Sequence, residues 1–199
     1  MHRYFLLNKP VGVVSQFKSS HSVKLLGALD FEFPEGIHAI GRLDINSEGL
    51  LLLTTDKRVT KLLFDPLKSH ERKYLVMVQH KVSPESLNNL RMGVQILISK
   101  NEYYLAKPLA AEIIAYPADL YPYAQDNRSA YDHTWLLITL AEGKFRQVRK
   151  MVSALRHRCL RLVRVSICNI HLGSLAPGEV KEISSTEFFG LLGIDEAIH

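Results

Sequence analysis

A polar turn at residues 44–49 separates two strongly apolar runs, residues 37–43 and 50–54, which are typical of buried β-strands. This arrangement sets the carboxylate of Asp44 at the mouth of an apolar pair of strands, where it is partly desolvated. Desolvation disfavours the charged form of a carboxylate, so a cation, Arg42 or a more distant arginine, must hold it ionised. The turn also has an ordinary explanation, because aspartate favours turns for its local hydrogen bonds.

The remaining chain alternates short strand-like runs with brief helical patterns, without a repeat or a low-complexity linker, which predicts an α+β architecture around a mixed sheet. Further strands are predicted at residues 4–7, 12–17, 73–78, 134–140 and 160–170, with two or three more between 94 and 115. Helices are predicted at 23–29, between the cap Asp56 and Pro66, at 84–92 after Ser83, at 145–155 with Phe145, Val148, Val152 and Leu155 on one face, and after Ser184. Residues 116–133, including the polar run 125–129, are predicted to form an exposed loop.

Composition narrows the class of protein. At 199 residues and 47% hydrophobic content the chain can bury a substantial core, which excludes a disordered tail or a fibrous protein. The net charge of +5 makes a polyanionic partner plausible. Cys159 and Cys168 lack the spacing of zinc ligands and are interpreted as reduced, half-buried thiols. We expect a cytoplasmic protein, because the apolar run at the N-terminus is too short for a signal peptide and no run approaches membrane-spanning length.

The segment 144–164 is strongly basic and carries no acidic residue. Its cations are Lys144, Arg146, Arg149, Lys150, Arg156, Arg158, Arg161 and Arg164. A solvated helix face followed by a charge-protected sheet edge would explain them without any ligand. A surface that carries only positive charge over twenty residues is nevertheless costly unless phosphates neutralise it, so the segment favours contact with nucleic acid.

Tyr74 lies among apolar residues in the predicted strand that follows Arg72 and Lys73. A tyrosine inside a strand is usually part of the core. A tyrosine that lines a pocket can instead stack on an extruded base and place its hydroxyl near a proton in transfer. Both interpretations are open from the residues alone.

The motifs GRLDINSEGLLLLTTD and EGKFRQVRKMV, with the opening LLNKPVGVVSQF and the later LAPGEV, resemble those of the pseudouridine synthases that act on bacterial ribosomal RNA. The resemblance covers nearly the whole chain, and the loop PADLYPYAQDNRSAYDHTW is most similar to that of the large-subunit enzymes. It implies the pseudouridine synthase catalytic fold, a mixed and largely antiparallel sheet flanked by helices and loops. It further implies one catalytic domain, 1–199, of two packed subdomains (1–66 and 67–199) with a central cleft, and no separate N-terminal RNA-binding domain.

The resemblance also implies roles for particular residues. Asp44 takes the position of the family's essential carboxylate, as nucleophile or base, and Arg149 that of the arginine paired with it. Tyr74 stacks beneath the uracil and assists proton transfer. Lys9 and Arg42 occupy basic positions near the cleft, with RNA-binding or positioning roles. Arg72 is also predicted to bind RNA. The chain departs from the family pattern at two positions: Arg72 stands where lysine is common, which keeps a cation with altered geometry, and Cys168 stands where many relatives have glycine.

The implied activity is an isomerase of ribosomal RNA that works without metal or cofactor, during ribosome biogenesis. Its partner is the large-subunit ribosomal RNA or its precursor, with no membrane, and we expect a monomer because no apolar stripe is left over. Two alternatives stay open. A non-catalytic protein that binds ribosomal RNA would use the same basic residues and place no special demand on Asp44. A glycosidase-like hydrolase would need a second carboxylate, for which Glu48 is the candidate, and would release free uracil.

Overall fold

The computed structural model describes residues 2–64, 69–124 and 132–194. The chain forms two compact units: Met1–His70 together with Arg164–His199, and Glu71–Val163. The segment 164–199 therefore returns to the unit that contains the N-terminus. The predicted subdomain boundary between residues 66 and 67 lies outside the described residues, as do Pro66 and the polar run 125–129. The division into subdomains 1–66 and 67–199 stays a prediction.

The first unit is built on antiparallel strands. Its elements are β1 (Tyr4–Lys9), β2 (His38–Ile40), β3 (Glu48–Thr54), α1 (Arg58–Leu63), β10 (Ile170–His171), β11 (Val180–Ile183) and α4 (Ser185–Leu192). β1 lies between β11 and β3 and runs antiparallel to both, while β2 pairs antiparallel with β3. All residues of β1 and β3 are buried, so these two strands form the centre of the unit.

The second unit is also antiparallel. Its elements are β4 (Arg72–Gln79), α2 (Pro84–Met92), β5 (Val94–Ser99), β6 (Glu102–Ala106), β7 (Ala110–Ile114), β8 (His133–Leu140) and α3 (Gln147–Ala154). β8 lies between β4 and β7, whereas β5 and β6 form a separate hairpin. β9 (Cys159–Ile167) begins in this unit and ends in the first. The prediction of an α+β fold with a largely antiparallel sheet is confirmed.

Helix α2 shows why local sequence signals work where they are complete. The Ser83 hydroxyl accepts a hydrogen bond from the Ser86 amide at 3.1 Å, Pro84 takes the first helical position, and Gly93 ends the helix with positive φ. The predicted helix 84–92 is confirmed at both ends. Among the described residues, no helix has the length and apolar character needed to cross a membrane.

Several predicted elements are corrected by the structure. α3 begins at Gln147 rather than 145, because Arg146 adopts a left-handed conformation (φ 53°), and Phe145 is exposed instead of packing on the helix face. Residues 12–17 form no strand, and the helix predicted at 23–29 is a 3-10 turn, Leu26–Ala28. The strand predicted at 160–170 is interrupted at Cys168, whose φ of 49° separates β9 from β10. β11 was not predicted. The loop 116–133 is not wholly exposed, because Tyr121 and Ala124 are buried.

Candidate active site

The turn that carries Asp44 is held by a neighbouring segment of the same unit. The Gly12 amide donates to the Ile45 carbonyl at 2.8 Å. The buried Ser15 hydroxyl accepts from the Leu43 amide at 3.0 Å and donates to the Leu43 carbonyl at 2.9 Å. Both neighbours of Asp44 in the chain are therefore fixed by hydrogen bonds, which restricts where its carboxylate can point.

The Asp44 side chain is half-buried, and its carbonyl accepts from the Ser47 amide at 2.9 Å, which closes the turn. Within the described part of the first unit, the Asp44 carboxylate accepts no hydrogen bond and forms no ion pair. Arg42, one of the cations expected beside it, is exposed. The carboxylate is consequently available to a ligand while its backbone is held in place.

Asp56, the last residue of the same sequence motif, has entirely different surroundings. It is buried and accepts from the Arg58 amide at 3.0 Å, from Arg58 Nε at 2.9 Å and Nη2 at 2.8 Å, and from the Tyr4 hydroxyl at 3.2 Å. The hydrogen bonds from Arg58 lower the pKa of Asp56 to about 2. These contacts give Asp56 a structural role at the start of α1, and the catalytic role of Asp44 stays a prediction.

Lys9 occupies the end of β1 and is completely buried. Its ammonium donates to the Pro10 carbonyl at 2.9 Å and to the Val13 carbonyl at 2.7 Å. It pairs with Gly49 across β1 and β3, so no side chain at the opposite position competes for the space. Lys9 thereby holds the segment that in turn holds Asp44, which supports the positioning role among its two predicted roles. A direct contact with RNA stays a prediction.

The ammonium of Lys9 also belongs to the electrostatic surroundings of the turn. Burial lowers the pKa of Lys9 to about 8, and the attraction of Glu48 and Asp44 partly counters this effect. Arg164 lowers the pKa further by repulsion. Arg164 is itself buried and donates from Nε to the Leu50 carbonyl at 2.8 Å. Near neutral pH, Lys9 is therefore a buried cation that attracts the Asp44 carboxylate.

Tyr74 and Arg72 lie on β4 in the second unit, with their side chains on the same face of the strand. Tyr74 is buried and pairs with Ile138 of β8, and Arg72 is buried with Nη1 donating to the Ala141 carbonyl at 3.4 Å. The Arg72 side chain thus has a hydrogen bond within its own unit. Stacking of Tyr74 on uracil and an RNA contact by Arg72 stay predictions.

Arg149 lies on α3 and is half-buried. Its charge reaches Cys159, since burial raises the pKa of the Cys159 thiol while Arg149 and Arg146 lower it. Both Cys159 and Cys168 are reduced, half-buried thiols, as predicted. Arg149 and Asp44 belong to different units, and their predicted ion pair stays a prediction.

The basic segment 144–164 divides into exposed and structural cations. Lys144, Arg146, Arg156 and Arg158 are exposed, whereas Lys150 is half-buried and donates to the Leu97 carbonyl at 2.7 Å. Arg161 is buried and donates from Nη1 to the carbonyls of Tyr123 and Ala124, both at 2.9 Å. RNA contacts by Arg161 and the buried Arg164 stay predictions, and the contacts seen for these two arginines are structural.

Sequence reasoning missed the positioning contacts of Gly12 and Ser15. Their only signal was a glycine and a serine within an otherwise apolar run after Lys9, which is equally typical of an ordinary turn. Among the described residues, no group of three or more His, Cys, Asp or Glu side chains could hold a metal ion.

Comparison with known proteins gives matches over most of the chain. Residues 3–154 match the family model described as RNA pseudouridylate synthase. The chain is 37% identical over 184 residues to ribosomal large subunit pseudouridine synthase E of Vibrio vulnificus (strain CMCP6), across 92% of this chain and 75% of that protein. It is 32% identical over 186 residues to ribosomal small subunit pseudouridine synthase A of Yersinia pestis, across 93% of this chain and 71% of that protein. A crystal structure of a pseudouridylate synthase aligns with a TM-score of 0.71 and 27% identity, across 96% of this chain and 74% of that one, which confirms the predicted fold.

Proposed function

Because this chain belongs to the RNA pseudouridylate synthase family, we propose that it isomerises a specific uridine of large-subunit ribosomal RNA to pseudouridine, with Asp44 as the reacting carboxylate. Membership makes the protein an RNA-modifying isomerase of the pseudouridine synthase type. The relatives act, by their names, on ribosomal RNA of either subunit. The higher identity to the large-subunit relative, 37% against 32%, supports the large subunit as the target.

The reaction requires a carboxylate next to the anomeric carbon of the ribose. The bond between that carbon and uracil nitrogen 1 breaks, the uracil rotates, and a new bond forms to carbon 5. Carbon 5 loses its proton and nitrogen 1 gains one, so nothing is oxidised or hydrolysed. The carboxylate either adds covalently to the anomeric carbon or removes a proton from the neighbouring ribose carbon to give a glycal. Both routes need Asp44 in its ionised form.

The surroundings of Asp44 are the observation that carries this assignment. Its carboxylate is half-buried, its chain neighbours are held by hydrogen bonds, and the buried Lys9 ammonium attracts it. Within the described part of the first unit this carboxylate has no structural partner, and a carboxylate so placed on a hydrogen-bonded turn has the properties of a group kept for a substrate. Arg149 as its ion-pair partner, and Tyr74 stacked on the uracil, complete the proposed site. We also propose that the enzyme is a cytoplasmic monomer.

The experiment that tests the role of Asp44 measures tritium release from ribosomal RNA that carries uridine labelled at carbon 5. We expect Asp44→Asn and Asp44→Ala to abolish release while they leave RNA binding largely intact. The exposed carboxylate of Asp30, in the same unit, provides the matched control, and Asp30→Asn should release tritium like the wild type. Release at the wild-type rate by a folded Asp44→Ala protein would refute the assignment.

The experiment that tests the target maps pseudouridines in ribosomal RNA from cells with and without this protein. We expect one large-subunit uridine to lose its modification when the protein is absent, and to regain it with the wild type but not with Asp44→Ala. Loss of a modification in the small-subunit RNA instead would show that the small subunit, and not the large one, is the target. Unchanged maps, with ribosomal RNA still bound by the protein, would favour the non-catalytic alternative.

A further inference from the structure

Phe145 and Tyr103 are among the aromatic side chains of the second unit that project into solvent. Phe145 is 71% exposed and Tyr103 is 70% exposed. Single exposed apolar residues are common on protein surfaces and need no explanation. These two residues differ because both lie next to the predominantly basic segment 143–150. The hairpin also carries Glu102, whose carboxylate accepts a hydrogen bond from the Ser99 hydroxyl at 2.8 Å.

Tyr103 lies on the outer face of the β5–β6 hairpin. It pairs directly with Leu97, and Leu105 follows two positions later on the same strand, so the three side chains share one face. Leu97 and Leu105 are also exposed. The opposite face of the hairpin carries the buried Ile96. The hairpin therefore presents a flat, apolar outer face centred on Tyr103.

Phe145 is joined to this hairpin through Lys150. The Lys150 ammonium donates to the Leu97 carbonyl at 2.7 Å and lies 5.3 Å from the centroid of the Phe145 ring. Phe145 consequently lies beside the strand that carries Leu97, although the two aromatic residues are far apart in sequence.

A second link fixes the segment that precedes α3. The Tyr104 hydroxyl donates to one oxygen of Glu142 at 2.8 Å, and Gln147 Nε2 donates to the other at 2.8 Å. The Lys144 ammonium lies 4.5 Å from the centroid of the Tyr104 ring. These contacts hold Lys144 against the hairpin on the face of Tyr104, which is opposite to the face of Tyr103. The segment that carries Phe145 and Arg146 is thereby fixed beside the hairpin.

The charge of this surface selects its partner. Residues 143–150 contain four cations and no acid, and both oxygens of the nearby Glu142 are engaged in hydrogen bonds. Exposed aromatic rings next to a predominantly basic segment match a chain with phosphates and unstacked bases. We propose that the hairpin surface, formed by Leu97, Tyr103, Leu105, Phe145 and Arg146, binds single-stranded RNA beside the target uridine, with Tyr103 and Phe145 stacking on bases.

This inference rests on the proposed function, because it assigns part of the RNA substrate to a surface of the second unit. Stacking is available only where bases are unpaired, so the surface selects uridines that lie in loops or irregular helices. It would lower the cost of extruding the target, because flanking bases that leave their helix gain the aromatic rings as new stacking partners. The hairpin surface thus contributes to the choice of substrate as well as to affinity.

The test compares Tyr103→Ala and Phe145→Ala with the wild type by fluorescence anisotropy, using a labelled oligouridylate of about 12 nucleotides and a duplex RNA of equal length. We expect each variant to bind the oligouridylate about fivefold or more weakly. The slope of affinity against salt should stay unchanged for both variants, because no phosphate contact is removed. Arg146→Gln should lower that slope by about one.

Conservative and matched variants separate stacking from general apolar contact. Tyr103→Phe and Phe145→Trp keep a stacking ring and should bind like the wild type, whereas Phe145→Leu should not. Emission from the tryptophan of Phe145→Trp should be quenched by the oligouridylate. Tyr116, which is 74% exposed in the same unit, supplies the control, and Tyr116→Ala should leave the affinity unchanged.

Wild-type affinity in both alanine variants would overturn the proposal. Wild-type affinity of Phe145→Leu would show that stacking is not the interaction. Because binding is measured without chemistry, the two proposals fail separately. A wild type that releases no tritium while the alanine variants lose affinity would sink the proposed function alone, whereas normal release together with unchanged affinity would sink the hairpin surface alone.

Discussion

Lys9 shows how a single residue can be recognised from the sequence while its environment cannot. The resemblance of LLNKPVGVVSQF to a family motif marked Lys9 as functional, with a contact to RNA or a positioning role as its options. Only the structure shows that its ammonium is buried against two carbonyls of the following segment. Sequence patterns report charge and periodicity, whereas burial of a strand-end lysine depends on a glycine in another strand, Gly49.

The buried ammonium of Lys9 predicts a particular pH dependence of stability. Burial lowers its folded-state pKa to about 8, below the ordinary value of 10.5, so the folded protein binds fewer protons than the unfolded chain between these values. The free energy of unfolding therefore gains a contribution from Lys9 that rises with pH across this window. We expect the free energy of unfolding in urea, taken as wild type minus Lys9→Met, to rise by more than about 1 kcal/mol from pH 8 to 10.5. A constant difference would contradict a buried cation.

Ser15 gives a prediction about catalysis. Ser15→Ala removes both hydrogen bonds to Leu43, the residue before Asp44, and leaves two buried backbone groups to find other partners. We expect a loss of about 1–3 kcal/mol in the free energy of unfolding. The value of kcat should fall in addition, while the affinity for ribosomal RNA stays within about twofold, because the phosphate contacts are untouched. Equal losses in kcat and affinity would show that Ser15 does not act through Asp44.

At the scale of elements, prediction succeeded where capping signals and periodicity agreed. α2 and α4 each have a serine whose hydroxyl accepts an amide of the first turn, Ser83 and Ser184, and both helices were predicted. The predicted start of α3 was wrong. Phe145, Val148 and Val152 have helical spacing, but Arg146 adopts a left-handed backbone conformation, so the helix begins after it. Spacing cannot reveal a left-handed residue. β11 was missed because its run of four residues, two of them charged, is too short to indicate a strand. It is a strand because it pairs with β1.

The turn between β2 and β3 supplies a prediction at this scale. Gly41 has a φ of 72°, and an added Cβ would lie 2.7 Å from the ring of Phe64, a half-exposed side chain that can move away. Gly41→Ala should therefore cost about 1–2 kcal/mol of stability, from the backbone alone. Thermal unfolding should give the same cost in a Phe64→Ala background, within about 0.5 kcal/mol. A cost that vanishes in that background would place the strain in the ring contact instead.

The molecule as a whole carries a net charge of +5, and the segment 144–164 contributes eight cations to it. The sequence identified this segment as a candidate contact for nucleic acid. It could not separate the exposed cations from those that bind carbonyls of the fold, since that distinction depends on the packing of β9 and α3 within their surroundings. The exposed members, Arg156 and Arg158 among them, are the ones that we expect to meet phosphates.

Reversal or removal of single charges in this segment tests that expectation. Arg158→Glu, and Arg156→Asn at a left-handed position that asparagine tolerates, should weaken binding of ribosomal RNA and reduce its dependence on salt. The slope of log affinity against log salt should fall by about one for each contact removed. Lys81→Glu, an exposed reversal in the same unit but outside the segment, is the control. Binding that is insensitive to salt in the wild type would count against this surface.

Because β1 pairs with β11, the sheet of the first unit is complete only after the end of the chain has been synthesised. Residues 71–163 leave the ribosome as one continuous stretch and can collapse while translation proceeds, whereas the first unit waits for residues 164–199. Until then β1 keeps an unprotected hydrogen-bonding edge. Chains released before residue 180 would lack β11, and the open hydrogen-bonding edge of β1 would make them prone to pair with a strand of another chain.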